Sequence, residues 1–412
     1  MWLVAQLAHA VLAILASIHP GGPLPGDSVA HAWYQWDSVW FTRIATDGYA
    51  ASGPYAPAFF PLFPLLMAIF DPVLPGGVFG AGLVVANLAF LAALVLLHRL
   101  VETEPAGEAG LGRDETEPAG ETRGRGETEH DGESRHGRAG IEPGGEAVGR
   151  ASGGVADRAL WYLIAFPTGF FLSAAYNTAL FLALTVAAVY TLRQRRWWLA
   201  GLLAALAGGT RSAGVLLVIP FGYEYLRVYG RRIRPQILAV ALVPAGLVGF
   251  MIYTWVVLGD PLAFMHAQGH WSRHPDWPWA GIAQDIAMIA RQPRVLNGTG
   301  THDLIDLGSV VFAAVLLTLC FVGPWRLRRD QYALPLYGAA LVLFMVIFPN
   351  TGDVTPYPLQ SAARLVLEVF PVFLILARIG TTRPLVDRAY LFLAVGAQAI
   401  MFDHFLHGGW VA

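Results

Sequence analysis

The chain has 412 residues, of which 55% are hydrophobic and only 14% are charged, whereas roughly a quarter of the residues in soluble domains carry a charge. Its 29 acidic and 27 basic residues almost cancel, so it lacks the basic excess of nucleic-acid-binding proteins. The composition therefore indicates a polytopic protein that lies in the lipid bilayer and has no nucleic-acid partner.

Apolar runs that are candidates for membrane-spanning helices recur along most of the chain. A helix needs about 18 or more apolar residues to cross the hydrocarbon core, and the short paired runs around residues 175 and 211 predict tilted hairpins or partly re-entrant helices. About eleven spans of an all-α bundle are predicted, at residues 2–19, 78–99, 158–175, 176–192, 197–211, 212–226, 236–257, 307–323, 332–349, 365–378 and 389–405. The first run lacks a basic n-region and a cleavage site, so we interpret it as a retained span rather than a signal peptide.

Clusters of arginine mark every second junction between these spans. They lie at residues 193–196, 227–234, 326–329 and 378–388. Because arginine-rich junctions are retained in the cytoplasm, these four are predicted to be cytoplasmic. The segments 20–77, 258–306 and 350–364 are then external, and functional residues are expected in them.

Residues 101–157 differ in composition from the rest of the chain. Gly, Glu, Arg and Thr dominate this stretch, and the sequence ETEPAGE occurs in it twice. Such a segment cannot bury enough apolar surface to offset the entropy of ordering, so we predict a disordered cytoplasmic insert. It separates residues 1–100, with two spans and the external loop 20–77, from the remaining bundle at 158–412.

The first external loop contains the sequence HAWYQWDSVWFTRIATDGY at residues 31–49. Four apolar residues in it follow helical spacing: Trp33, Trp36, Trp40 and Ile44. Since Trp favours the headgroup level, we predict an interfacial helix that presses this stripe into lipid.

Two aspartates in this loop are candidate site residues. Asp37 lies beside the stripe, where partial desolvation suits a general base, although a solvated or helix-capping aspartate is the alternative. Asp47 is a candidate substrate contact. The spacing of the pair matches no known metal signature, and we predict no metal.

Four segments resemble the PIG-V-like mannosyltransferases, the family of GPI mannosyltransferase II and its prokaryotic relatives. They are WDSVWFTRIATDGY at 36–49, AFFPLFPLL at 58–66, FPTGFFLSAAYNTALF at 166–181 and GTRSAG at 209–214. The chain departs from the family pattern at Trp40, where the family usually has His, and at Thr178, where it usually has Glu. Any role of those two family side chains does not carry over to this chain.

The resemblance implies a GT-C type glycosyltransferase of the cell membrane. Such an enzyme moves mannose with inversion from a polyprenyl (dolichyl) phosphate mannose to a lipid- or protein-linked glycan on the external face, and Asp37 matches the residue that deprotonates the acceptor. The lipid-phosphate sugar is a substrate, and no cofactor is implied. Some relatives need an accessory membrane subunit, so one is possible for this chain.

An inverting transfer needs cations or hydrogen-bond donors near the leaving phosphate. Arg211 is a candidate, because an arginine between two apolar half-helices needs an anionic partner; a structural ion pair is the alternative. Arg364 resembles a late arginine of the family. Gln268, His270, Trp271 and Arg273 resemble a Q-x-x-W-x-R element of relatives and are candidate substrate contacts.

There are three other functional interpretations: a metal site, a transporter and a structural subunit. His266, His270 and His274 have the spacing of one helix face, but Gly269 and Pro275 argue against a long helix and no acidic or Cys ligand completes a metal site. A multispan transporter or lipid flippase would also fit many spans with few charges. An enzyme is favoured because the polar candidates gather on one face and no internal repeat is found outside the insert. A structural subunit with an inactive site is a third possibility.

Overall fold

The structure, a computed structural model, describes residues 1–18, 31–103, 143–291, 299–352 and 357–411. These residues form sixteen α-helices and eight short 3-10 helices, and their only β interactions are isolated bridges that join Asn350 to Arg273 and to Tyr357. The predicted all-α class is confirmed.

The α-helices of the described residues are numbered in chain order. They are α1 (Trp2–Ile18), α2 (Asp37–Ser52), α3 (Leu62–Phe70), α4 (Gly77–Thr103), α5 (Pro143–Ala165), α6 (Thr178–Arg193), α7 (Trp197–Thr210), α8 (Val218–Tyr229), α9 (Ala245–Leu258), α10 (Ala263–His270), α11 (Pro278–Arg291), α12 (Thr299–Leu319), α13 (Ala333–Val346), α14 (Ala362–Leu365), α15 (Pro371–Thr382) and α16 (Pro384–Leu406).

Each predicted span corresponds to one of these helices or to a helix with an adjoining 3-10 turn. Among the described residues, three helices are long and apolar enough to cross a membrane on their own: Gly77–Thr103, His302–Leu319 and Pro384–Leu406. The 3-10 turn Pro235–Leu242 and α9 qualify as a fourth span, bent by 42°. The other apolar helices are shorter, and the tilted or re-entrant course of the segments around residues 175 and 211 stays a prediction.

The centre of the bundle consists of α4, α5, α6, α7 and α15. Small residues such as Ala81, Ala86 and Ala93 on α4 are fully buried, and they let neighbouring backbones approach closely. In contrast, Leu385 and Phe392 on α16 are each 81% exposed. Apolar side chains on the outside of a bundle are what a lipid environment favours.

The arginine-rich junctions meet at one end of the bundle. Arg193 forms an ion pair of 2.7 Å with Glu224 and donates a hydrogen bond to the carbonyl of Asp330, while Arg227 also binds Glu224. Arg193 ends α6, a 16-residue helix about 24 Å long. The turn before α6 contributes Asn177 to a large cavity, so that cavity lies at the other end.

The boundaries predicted for the insert need correction. Residues 101–103 complete α4, and α5 begins at Pro143. Ala156 is fully buried, and Asp157 lies 3.4 Å from His98. Composition missed this packing because small residues bury little apolar surface, although they pack closely between helices. Residues 104–142 lie outside the described part of the chain, so the disordered, cytoplasmic nature of the insert stays a prediction.

Candidate active site

A cavity of about 800 Å³ opens where α2, α10, α14 and the turn after α7 meet. Seven of the residues predicted from the sequence line it: Asp37, Arg211, Gln268, His270, Trp271, Arg273 and Arg364. They come from three segments that the sequence predicts to be external and from one turn, all far apart in the chain. The fold therefore brings the predicted residues to one place.

Asp37 is the first residue of α2. A turn in front of it places Trp36 at φ 52°, a left-handed conformation that non-glycine residues rarely adopt. The Asp37 carboxylate thus lies at the N-terminus of a helix, where unpaired backbone N–H groups give a partial positive charge. One carboxylate oxygen, Oδ2, accepts a hydrogen bond of 2.5 Å from Arg364 Nη1. Within the described residues Oδ1 has no hydrogen-bond donor.

The prediction that Trp33, Trp36, Trp40 and Ile44 form one lipid-facing surface is wrong. Trp33 belongs to a separate 3-10 turn, and the break at Trp36 turns that side chain toward Trp410. Trp40 stacks on Phe59 at 5.6 Å, and Ile44 is buried. Helical spacing alone did not reveal the turn, and contacts within the protein replace the predicted contacts with lipid.

Arg364 lies on α14, a helix of a single turn. Its guanidinium group sits over the rings of Tyr176 and Phe171, at 5.1 Å and 5.5 Å, an arrangement in which the ring faces attract the cation. Its buried Nε has no hydrogen-bond partner among the described residues. Arg364 therefore retains donor capacity beyond its bond to Asp37.

Arg211 follows α7 directly, in extended backbone. Its Nη1 lies 2.6 Å from the carboxylate of Glu368, whose side chain is only 3% exposed. The structural ion pair considered as the alternative for Arg211 therefore exists, although Arg211 also lines the cavity. Sequence reasoning missed Glu368, which lies within a predicted span. The signal was available, because the requirement that Arg211 have an anionic partner pointed to an acid in a neighbouring span.

The segment around α10 supplies an aromatic wall. Trp271 donates its indole N–H to the carbonyl of Tyr55, and its ring meets Trp40 at 5.8 Å. His270 lies beside the Tyr55 ring at 5.4 Å. Trp40, where the family pattern has His, therefore packs behind this wall. Thr178, at the other departure, is fully buried at the start of α6.

Arg273 donates a hydrogen bond of 2.9 Å to the carbonyl of Gln360, and no carboxylate pairs with it in the described part of the chain. Burial and the neighbouring positive charges of Arg364 and Arg211 lower the pKa of Arg273 to about 10. The described lining of the cavity therefore contains three guanidinium groups and two carboxylates, those of Asp37 and Glu368. This excess of positive charge suits an anionic ligand.

One flank of the cavity is apolar. It is lined by four side chains from α13 and the residues that follow it: Leu341, Phe344, Met345 and Phe348. The cavity thus combines a cationic centre with an apolar wall on α13, a pairing that suits a ligand with both an anionic group and a hydrocarbon chain.

Two candidates from the sequence need separate description: Asp47 and the three histidines at helical spacing. Asp47 is exposed and does not line the cavity. The three histidines at helical spacing all line it, but His266 pairs with Asp260 at 2.6 Å and α10 ends at His270. No group of His, Cys, Asp or Glu suited to a metal ion occurs among the residues that the structure describes.

Comparisons with known proteins identify a structural likeness. The chain matches the crystal structure of ArnT from Cupriavidus metallidurans bound to undecaprenyl phosphate with a TM-score of 0.50 and 12% identity, over 98% of this chain and 70% of that one. The apo structure of the same protein matches with a TM-score of 0.48 and 13% identity, over 93% and 60%. No protein-family model and no curated protein sequence matches the chain. ArnT is a GT-C glycosyltransferase, and the likeness confirms the predicted GT-C type membrane fold.

Proposed function

We propose that the chain is an inverting glycosyltransferase that uses a polyprenyl-phosphate sugar as donor. The observation that carries this proposal is the cavity itself, in which an aspartate at a helix N-terminus faces three arginines. The GT-C fold supports it, because ArnT shares this fold and was crystallised with a polyprenyl phosphate.

Asp37 acts as the general base in this proposal. It takes the proton from an acceptor hydroxyl through Oδ1, since Arg364 holds Oδ2. The acceptor oxygen then attacks the anomeric carbon of the donor sugar from the side opposite the phosphate. The new glycosidic bond forms as the bond to the phosphate oxygen breaks, so the configuration inverts. Positioned general bases contribute about 100- to 10,000-fold to such reactions.

The arginines stabilise the departing lipid phosphate. Among the residues that the structure describes, no carboxylate pairs with Arg273, and Arg364 has an unused buried donor at Nε. Charge-assisted hydrogen bonds from guanidinium groups match phosphate geometry well. Arg211 contributes positive charge while its bond to Glu368 fixes its position. The negative charge that develops on the leaving group thus meets donors that are already in place.

The apolar flank favours a lipid-linked donor over a soluble one. Phe344 and Phe348 offer a prenyl chain a route from the bilayer to the cationic centre. A water-soluble sugar nucleotide has no hydrocarbon chain that could pack against these apolar side chains. The lipid specificity therefore follows from the same cavity that supplies the chemistry.

Mannose as the sugar rests on the resemblance to the PIG-V-like family. The resemblance also supports a glycan or glycolipid acceptor, a site in the cell membrane and the possibility of an accessory subunit. In this proposal the aromatic wall of His270 and Trp271, with Gln268, contacts the sugars, because aromatic faces pack well against the apolar faces of sugar rings.

The alternative of a transporter or lipid flippase predicts that the charged residues line a path through the bilayer. Instead Asp37, Arg211 and Arg364 converge in one cavity at one end of the bundle. The ion pairs of Glu224 with Arg193 and Arg227 lie toward the opposite end. This arrangement favours the enzyme.

Incubation of membranes that contain the protein with labelled polyprenyl-phosphate mannose tests the proposal. We expect label to appear in a lipid or glycan acceptor, with free polyprenyl phosphate as the second product. A transporter would instead move the intact labelled lipid across the bilayer. Label that stays on the donor with every polyprenyl-phosphate sugar offered would refute the transferase.

Substitution of Arg273 tests the phosphate contact. We expect Arg273→Gln to weaken binding of undecaprenyl phosphate by roughly 10- to 100-fold, the usual range for one hydrogen bond to a charged group. Tryptophan fluorescence of the purified protein, titrated with the lipid, measures this affinity. Arg291→Gln, at an exposed arginine of the same external segment, is the control and should bind normally. Equal affinity of Arg273→Gln and the wild type would place the phosphate elsewhere.

A further inference from the structure

The backbone that carries Arg364 is held in an unusual way. Helix α14 has only four residues, and it is entered through Ser361, whose φ of 69° is left-handed. A left-handed conformation is unfavourable for a residue other than glycine, and a single helical turn is unstable alone. The neighbouring elements must therefore hold this turn in place.

Two buried side chains hold this turn by binding the backbone N–H and the backbone carbonyl of Ala363. The carboxylate Oδ1 of Asp306 on α12 accepts a hydrogen bond of 2.7 Å from the Ala363 N–H, one of the donors that a helix start leaves without a partner. The hydroxyl of Thr168, between α5 and α6, donates to the Ala363 carbonyl at 2.9 Å. Thr168 and Ala363 are fully buried, and Asp306 is 5% exposed.

The position of the Arg364 guanidinium depends on this backbone. Its only hydrogen bond in the described residues is the one to Asp37, and its Nε is unpartnered. The ring faces of Tyr176 and Phe171 attract the cation without fixing its rotation. A shift of α14 by about 1 Å would thus move the guanidinium away from both Asp37 and an incoming phosphate. Misplacement of a catalytic group by about 1 Å can reduce turnover strongly.

We propose that Thr168 and Asp306 are positioning residues that hold Arg364 in register with Asp37 by clamping Ala363. This inference rests on the proposed function. Neither residue lines the cavity, so neither touches substrate. They act only through the backbone of α14.

Paired substitutions test the clamp. Thr168→Val keeps the shape and removes the donor, and we expect kcat to fall about tenfold, as for the loss of one net hydrogen bond. Thr168→Ser restores the donor and should stay near wild type. Asp306→Leu should behave as Thr168→Val, whereas Asp306→Asn keeps an acceptor oxygen and should lose much less. Thr191→Val is the control, since this buried hydroxyl only binds carbonyls of its own helix.

A double-mutant cycle separates positioning from general stability. In an Arg364→Gln background, Thr168→Val should cause no further loss of kcat, because the group it positions is already gone. The inference is overturned if Thr168→Val turns over at the wild-type rate, or if it lowers kcat tenfold again in the Arg364→Gln background.

The affinity for undecaprenyl phosphate is measured on the same variants. If the wild type transfers no sugar, the proposed function fails, and this binding series decides the clamp alone. We then expect the wild type and Thr168→Ser to bind the lipid tightly and Thr168→Val to bind it weakly. In the Arg364→Gln background, Thr168→Val should not weaken binding further. Any other order rejects the clamp.

Discussion

Asp37→Asn is expected to lower the transfer rate by a factor of about 100 or more. The substitution preserves the size of the side chain and an acceptor for Arg364, but it removes the basicity that the acceptor hydroxyl needs. Membrane level and binding of undecaprenyl phosphate should persist, because the arginines stay in place. Initial rates with labelled donor at saturating concentrations measure the effect.

Helix α2 provides a matched control for this experiment. Asp47 lies on the same helix but is exposed and outside the cavity, so Asp47→Asn should transfer at the wild-type rate. Turnover of Asp37→Asn at the wild-type rate would reject the general base. A loss in Asp47→Asn as large as in Asp37→Asn would show that the helix is needed for another reason, and absence of Asp37→Asn from the membrane would indicate a structural aspartate.

Arg211→Met is expected to have the second large effect, on stability. It leaves the carboxylate of Glu368, which is 3% exposed, without the cation at 2.6 Å. Breaking a buried ion pair on one side costs about 3–5 kcal/mol, since an unpaired charge stays buried. The purified variant should therefore unfold at a clearly lower temperature in detergent, and less of it should reach the membrane.

The double variant Arg211→Met with Glu368→Gln removes the unpaired charge and should recover much of the lost stability. Replacing both partners of a buried ion pair with uncharged side chains changes stability much less than removing one partner. Its transfer rate should stay low, since the cavity has lost a cation. Arg196→Met, at an exposed arginine, should unfold like the wild type. If Arg211→Met alone is as stable as the wild type, the pair does not stabilise the bundle.

Much of the site could be predicted because its residues come from short motifs. The motifs that contain Asp37 and Arg211, together with the predicted external placement of Arg273 and Arg364, identify residues that are distant in sequence but line one cavity. Placement on one face follows from the arginine-rich junctions, whose convergence at Glu224 agrees with a common side.

Other features depend on backbone geometry that periodicity does not encode. The turn at Trp36 interrupts the predicted stripe, and α2 begins at the next residue, Asp37. The buried small residue Ala156 extends α5 into the predicted insert. The clamp on Ala363 joins residues from three distant segments through main-chain atoms, and main-chain contacts leave no mark on residue type at that position.

A structure of the protein with bound undecaprenyl phosphate, determined by electron cryomicroscopy, would locate the leaving group. We expect the phosphate about 3 Å from the guanidinium groups of Arg273 and Arg364, at charge-assisted hydrogen-bond distance, with the prenyl chain along Phe344 and Phe348 on the flank of α13. Asp37 would then face open space for an acceptor beside the phosphate. A phosphate bound away from Arg273 and Arg364, with the cavity empty, would rule out the proposed donor site.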